Sequence, residues 1–217
     1  MNPEIKDKVN HAKFDPVNVI DTFKNELILE SANSITTASF HPLYVGPTKD
    51  SIYLNYNMRE LSYRDYNWIE YNYPKSSDLL IFIDTTQYIG SINILNRFLS
   101  KSIHKNKSIK SYPIFLQNIS KDTLNFGFGN YIPLILQAKD SSGDWKPIQK
   151  EFRYSCGTGL SYFYLPPDEL LISSCKIFNG NYKTQLRLVY GYDETAFSNE
   201  FTGHINYSQF DKSVVNR

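Results

Sequence analysis

Between about Tyr112 and Phe210, apolar and polar positions alternate in short runs separated by turn residues, as successive β-strands require. Ser111-Tyr112-Pro113 leads into Ile114-Phe115-Leu116-Gln117-Asn118, a strand that ends at the turn Asn118-Ile119-Ser120-Lys121-Asp122. Thr123 to Phe128 starts the next strand, with Gly127 and Gly129 allowing a bulge or close packing. Tyr131 to Lys139 runs into Asp140-Ser141-Ser142-Gly143-Asp144, whose residues favour a tight turn. Further strands follow at Trp145 to Ile148, Phe152 to Tyr154, Tyr162 to Leu165, Leu170 to Ile177, Lys183 to Tyr190 and Phe197 to Ile205. In Lys183 to Tyr190, Leu186 and Leu188 alternate strictly with Arg187 and Val189. Strands at this spacing, with no helical pattern between them, predict an immunoglobulin-like antiparallel β-sandwich rather than an α/β enzyme fold.

The first half is less regular. Val17, Ile20, Phe23 and Leu27 follow helical spacing behind Asp15-Pro16, which predicts a short helix to about residue 24 and then a strand over Glu26 to Glu30. His41 to Pro47 reads as a loop, because its two prolines and its glycine oppose a hydrogen-bonded ladder. Ile52, Leu54 and Tyr56 alternate with Ser51, Tyr53 and Asn55 as a half-buried strand, and Leu79 to Asp84 reads as a buried one. Ile89 to Phe98 fits either a strand or a short helix. The expected organisation is mostly β: a smaller β-rich region over residues 1–105 with at most short helices, and the sandwich over 106–217.

Composition narrows the chemistry. The 217 residues suffice for a sizeable core without disulfide staples. Twenty-three basic against 22 acidic residues leave a net charge of +1, which gives no long-range field to draw nucleic acid or an anionic membrane. The basic stretch Lys101, His104, Lys105, Lys107 and Lys110 reads as a solvated linker or hairpin tip. The longest apolar run, Leu79 to Ile83, is too short to span a membrane. The start, Met1 to Asp7, is polar and lacks a secretory apolar stretch, which points to the cytoplasm unless a leader has been removed. Seventeen Tyr and 14 Phe bring aromatics to 15%, a surplus partly explained by AT-rich codon usage.

Leu165-Pro166-Pro167-Asp168-Glu169, followed by a strand and then by Leu186-Arg187-Leu188-Val189-Tyr190, resembles a corner of bacterial immunoglobulin-like modules. In those modules a glycine customarily stands where this chain has Asp168. Ser198-Asn199-Glu200-Phe201 with Gly203 is similar to the closing strand of uncharacterised proteins from Bacteroidetes-type bacteria. The resemblance covers roughly residues 110–210 and implies a fold, with no active site to carry over.

The residues that bear chemistry do not assemble into a catalytic motif. Cys156 before Gly157-Thr158-Gly159, with His204 as a distant base, lacks any local nucleophile signature, and no Gly-x-Ser-x-Gly occurs. Phe126-Gly127-Phe128-Gly129-Asn130 lacks the lysine and the helix of a phosphate loop. Asp168-Glu169 and Asp193-Glu194 fall at turns, and Asp140 to Asp144 offers too few acids for a calcium loop. The histidines His11, His41, His104 and His204 show no ligand spacing. Cys156 and Cys175 either pair on neighbouring strands or stay as two buried thiols.

One cluster invites a binding role: Tyr63, Arg64, Tyr66, Trp68, Tyr71 and Tyr73, in a long aromatic and polar stretch. Tyr, Trp and Arg are enriched at protein contact surfaces, so this stretch is either such a surface or a lid over the open end of the core. The expectation is a non-enzymatic bacterial binding protein that engages a protein partner, in the manner of an immunity or adaptor protein, with no cofactor. The alternative is a carbohydrate-binding module that uses an aromatic platform.

Overall fold

The computed structural model describes residues 14–15, 17–22, 25–56, 74–91, 107–128, 131–152, 162–191 and 196–211. In chain order the strands are β1 (Asn18–Ile20), β2 (Glu26–Ile28), β3 (Thr36–Thr37), β4 (Tyr44–Pro47), β5 (Ser51–Tyr53), β6 (Leu79–Ile83), β7 (Ile89–Ser91) and β8 (Lys107–Asn118). There follow β9 (Leu124–Phe128), β10 (Leu134–Lys139), β11 (Trp145–Pro147), β12 (Gln149–Lys150), β13 (Tyr162–Leu165), β14 (Glu169–Lys176), β15 (Tyr182–Tyr190), β16 (Ala196–Phe197) and β17 (Phe201–Ile205). The one helical turn among the described residues is a 3-10 turn at Tyr207–Phe210. None of their helices is long and apolar enough to cross a membrane.

The larger sheet is built on β8. The registers put β6 and β7 end to end along one side of it, and β14 with β2 along the other, with β4 outside β14. Strands from either side of residue 105 therefore share one ladder. Within it the period of two is visible in the burial: Ile114, Leu116, Ile81, Ile83 and Leu171 enter one hydrophobic cluster, while Phe115, Leu170 and Ile172 enter a second on the opposite face. Val17, Leu43, Ile52, Leu54 and Tyr56 cover that second face. A sheet covered on both faces needs apolar residues at every position, hence the unbroken runs Leu79–Ile83 and Ile114–Leu116.

A second, five-stranded sheet runs β11, β10, β15, with β16 and β17 sharing the far side of β15, and β1–β5, β3–β12 and β9–β13 form separate two-stranded pairs. It sends Leu134, Leu136, Ala138, Leu186, Leu188 and Tyr190 into the first cluster. On its opposite face Arg187 is 6% exposed, its Nε donating to Gln137 Oε1 at 3.0 Å. Its guanidinium lies 4.4 Å from the ring centroid of Trp145 and 4.2 Å from that of Phe197, an aromatic-flanked cation.

Turns follow their side chains. Asp140 Oδ1 accepts from the N–H groups of Ser142 and Asp144, and Oδ2 meets Lys146 Nζ. That lysine holds the Asp140 carboxyl below the usual carboxylate range. Gly143 takes φ 85, the left-handed region that glycine enters freely. At the Leu165–Glu169 corner Glu169 N–H donates to Pro166 O at 3.3 Å, with proline second and Asp168 third at φ 58. That is the type II pattern, so the residue in the customary glycine position holds a conformation that suits glycine.

Four expectations need correction. Residues 18–20 form a strand, not a helix: β1 pairs in parallel with β5, and Asn18 N–H donates to Asp50 O at 2.9 Å. Three apolar positions are too short a run to fix a period, and the β-branched Val17, Val19 and Ile20 suit a ladder. The segment expected as a loop at His41–Pro47 contains β4, which pairs with β14. Its proline stands at the ladder's end, and Gly46 leaves room for the Tyr44 ring, whose hydroxyl donates to Pro47 O at 2.7 Å. A Cβ at Gly46 would come within 2.9 Å of that hydroxyl. Of the basic stretch, Lys107 and Lys110 belong to β8; Lys107 pairs with Glu26 at 3.6 Å, and Lys110 Nζ sits 3.6 Å over the Tyr88 ring. Pro113, expected only to lead into a strand, lies inside β8. Its carbonyl accepts from Asp84 N–H, so its nitrogen faces the gap between β6 and β7, where no partner strand misses an N–H.

Candidate functional site

Thr36 to Phe40 alternates in burial: Thr36, Ala38 and Phe40 turn inward, while Thr37 and Ser39 are exposed. The segment is held at the margin of the second sheet. β3 pairs in parallel with β12, Ala38 N–H donates to Lys150 O at 2.8 Å, and Ile132 N–H donates to Phe40 O at 3.0 Å. Across from it lies the end of β14. Between the two opens a cleft of about 650 Å³, whose apolar surfaces include Ala38, Phe40, Leu136 and Phe178, with the Tyr131 and Phe152 rings 4.8 Å apart. A volume of this order suits a small organic ligand.

Polar groups enter this cleft at few points. Gln149 is 6% exposed. Its Oε1 accepts the Leu136 N–H at 3.1 Å, which fixes the amide's orientation; its Nε2 donates to no group among the described residues. Thr36 Oγ1 is buried and has no hydrogen-bond partner among those residues. An unpaired buried hydroxyl costs about 1–3 kcal/mol. Ser174 adds a half-buried hydroxyl. Glu30 and Lys176 pair at 3.3 Å, each side chain 21% exposed, so among the described residues the formal charges lining the cleft cancel when His41 is neutral.

Cys175 lines the cleft as a free thiol, but burial pushes its pKa up to about 12, which keeps it protonated at neutral pH. Ser39 Oγ and His41 Nε2 lie 3.0 Å apart at the mouth. Two residues apart on an extended segment, they fall on one side of the chain, and that spacing alone accounts for the contact.

Tyr63, Arg64, Tyr66, Trp68, Tyr71 and Tyr73 lie outside the described residues, as does Cys156. His204 is exposed on β17 opposite Lys183, and the Asp168-Glu169 pair sits at the corner before β14. The cleft residues Thr36, Gln149 and Ser174 were not candidates from sequence. A signal existed for one of them: in Thr36-Thr37-Ala38-Ser39-Phe40 a threonine occupies an inward position of an alternating run. Nothing of the kind marks Gln149. No protein-family model matches the chain, and neither a curated protein nor a solved structure matches it.

Proposed function

We propose that this chain is a non-enzymatic ligand-binding protein on an immunoglobulin-like sandwich framework, with the cleft beside β3 as its binding site. What supports the reading is the Gln149 amide: a side chain almost wholly buried, locked by Leu136 on one side and presenting its N–H donors to open volume on the other. A donor fixed in that position is available to an acceptor atom of a ligand that enters the cleft. The corner at Leu165–Glu169, with Asp168 at φ 58, supports the immunoglobulin-like part of the proposal. Contact with a protein partner through Tyr63 to Tyr73 rests on composition only.

A mixed collection of metabolites and fragments, sugars included, screened by ligand-observed NMR against the wild type and Ser174→Phe provides the test. The expected result is a set of binders lost when the phenylalanine fills the cleft. Binders that persist unchanged in the filled variant would remove the cleft from consideration.

A further inference from the structure

We infer that the occupant of the cleft is an uncharged, largely apolar molecule carrying an acceptor oxygen, such as an aryl ketone; this rests on the ligand-binding reading above. The first support is charge. Glu30 and Lys176 satisfy each other at 3.3 Å, so a ligand carboxylate would face Glu30 and a ligand ammonium would face Lys176. Either would have to break an existing pair to gain one of its own. A neutral ligand leaves the pair intact.

The second support is the direction of the hydrogen bond that Gln149 can offer. Gln149 Oε1 is occupied by the Leu136 N–H, so the side chain has only N–H to give, and the complementary ligand atom must accept. Thr36 Oγ1, which has no hydrogen-bond partner among the described residues, can donate to the same kind of atom. The third support is the surrounding surface. Ala38, Phe40, Leu136 and Phe178 offer no polar side-chain atom, and they favour an apolar body. A sugar carries hydroxyls on most of its perimeter, and against these residues several would lose water without replacement.

Prodan, 6-propionyl-2-(dimethylamino)naphthalene, has this chemistry: it is neutral and aromatic, with one ketone oxygen, and its emission shifts to the blue on leaving water. Titrated into the full chain, it is expected to bind saturably with a blue shift. Affinity should fall at least tenfold in Ser174→Phe and in Gln149→Glu, the latter keeping an acceptor for Leu136 while removing the neutral donor. A comparison that does not depend on variant folding uses wild-type protein with 2-(dimethylamino)-6-propylnaphthalene, the same body without the oxygen. It should bind at least tenfold more weakly than prodan, as should the anionic 1-anilinonaphthalene-8-sulfonate.

Equal binding of the ketone and its deoxygenated analogue would overturn the acceptor assignment, and tighter binding of the sulfonate would overturn neutrality. If prodan fails while maltose binds and is lost in Ser174→Phe, the ligand class is wrong and the site survives. If neither these probes nor the NMR collection responds to filling the cleft, the site itself is wrong.

Discussion

The β8–β14 ladder and the β3–β12 ladder lie at opposite extremes of how this chain treats a buried backbone. β8 and β14 register over seven residue pairs, with apolar side chains on both faces. The polar groups enclosed there are used: Asn118 Nδ2 donates to Asp122 O and Leu165 O, its Oδ1 accepts from Ser120, and Ser173 Oγ donates to His41 O. β3 and β12 register over two pairs, leave Thr36 Oγ1 without a partner among the described residues, and turn the Gln149 N–H donors toward the cleft. Orphaned atoms by themselves mark nothing, because Asn125 and Gln209 also hold some among the described residues. The β3–β12 margin differs in that these donors coincide with open volume, where a ligand can reach them. Closure specifies the first ladder, and availability distinguishes the second.

The largest predicted effect tests the closed side. Leu116 is fully buried between the sheets, so Leu116→Ala loses its transfer energy and leaves a cavity. Urea unfolding should show a loss of about 3–4 kcal/mol. A loss below about 1 kcal/mol would mean that the ladder is not the rigid centre of the molecule.

Thr36→Val tests the open side with an effect of opposite sign. Valine keeps the volume and β-branching of threonine and deletes the unpaired hydroxyl, so the unliganded protein should gain about 1 kcal/mol in urea unfolding while prodan affinity falls. Stabilisation with weakened binding is the outcome that a retained ligand contact requires. A loss of stability would show that the hydroxyl already has a partner, and the contrast between the ladders would shrink to one residue.

The legibility of the two regions in sequence follows from the same contrast. Runs such as Ile114-Phe115-Leu116 and the alternation of Leu186 and Leu188 with Arg187 carry the strand signal within a few residues, because burial on one or both faces writes itself into consecutive positions. Turn residues at Asn118 to Asp122 and Asp140 to Asp144 did the same through their own hydrogen bonds. Pairings between distant segments left no such trace. β1 with β5 and β4 with β14 are short edges whose conformation is imposed by partners far along the chain, and Pro113 is tolerable only because of a gap in a neighbouring strand. The cleft belongs to this second kind: Thr36, Gln149 and Ser174 meet only after folding, and each alone is an ordinary polar residue.

The smallest predicted effect returns to the closed side, at the corner that launches β14. Asp168 has φ 58 with an exposed side chain, while its N–H donates to Asn118 O at 3.0 Å. An L-residue in the left-handed region costs about 1–2 kcal/mol, less for aspartate, which tolerates it. Glycine removes that cost, and its extra freedom in the unfolded chain takes back about 0.4–1 kcal/mol. Asp168→Gly should therefore stabilise by roughly 0.5 kcal/mol, with the Asn118 bond kept and prodan binding unchanged. Paired denaturation curves on the two proteins resolve a change of that size. A destabilised glycine variant would mean that the aspartate carboxylate holds the corner, and the entry to β14 would then depend on a polar contact rather than on backbone conformation.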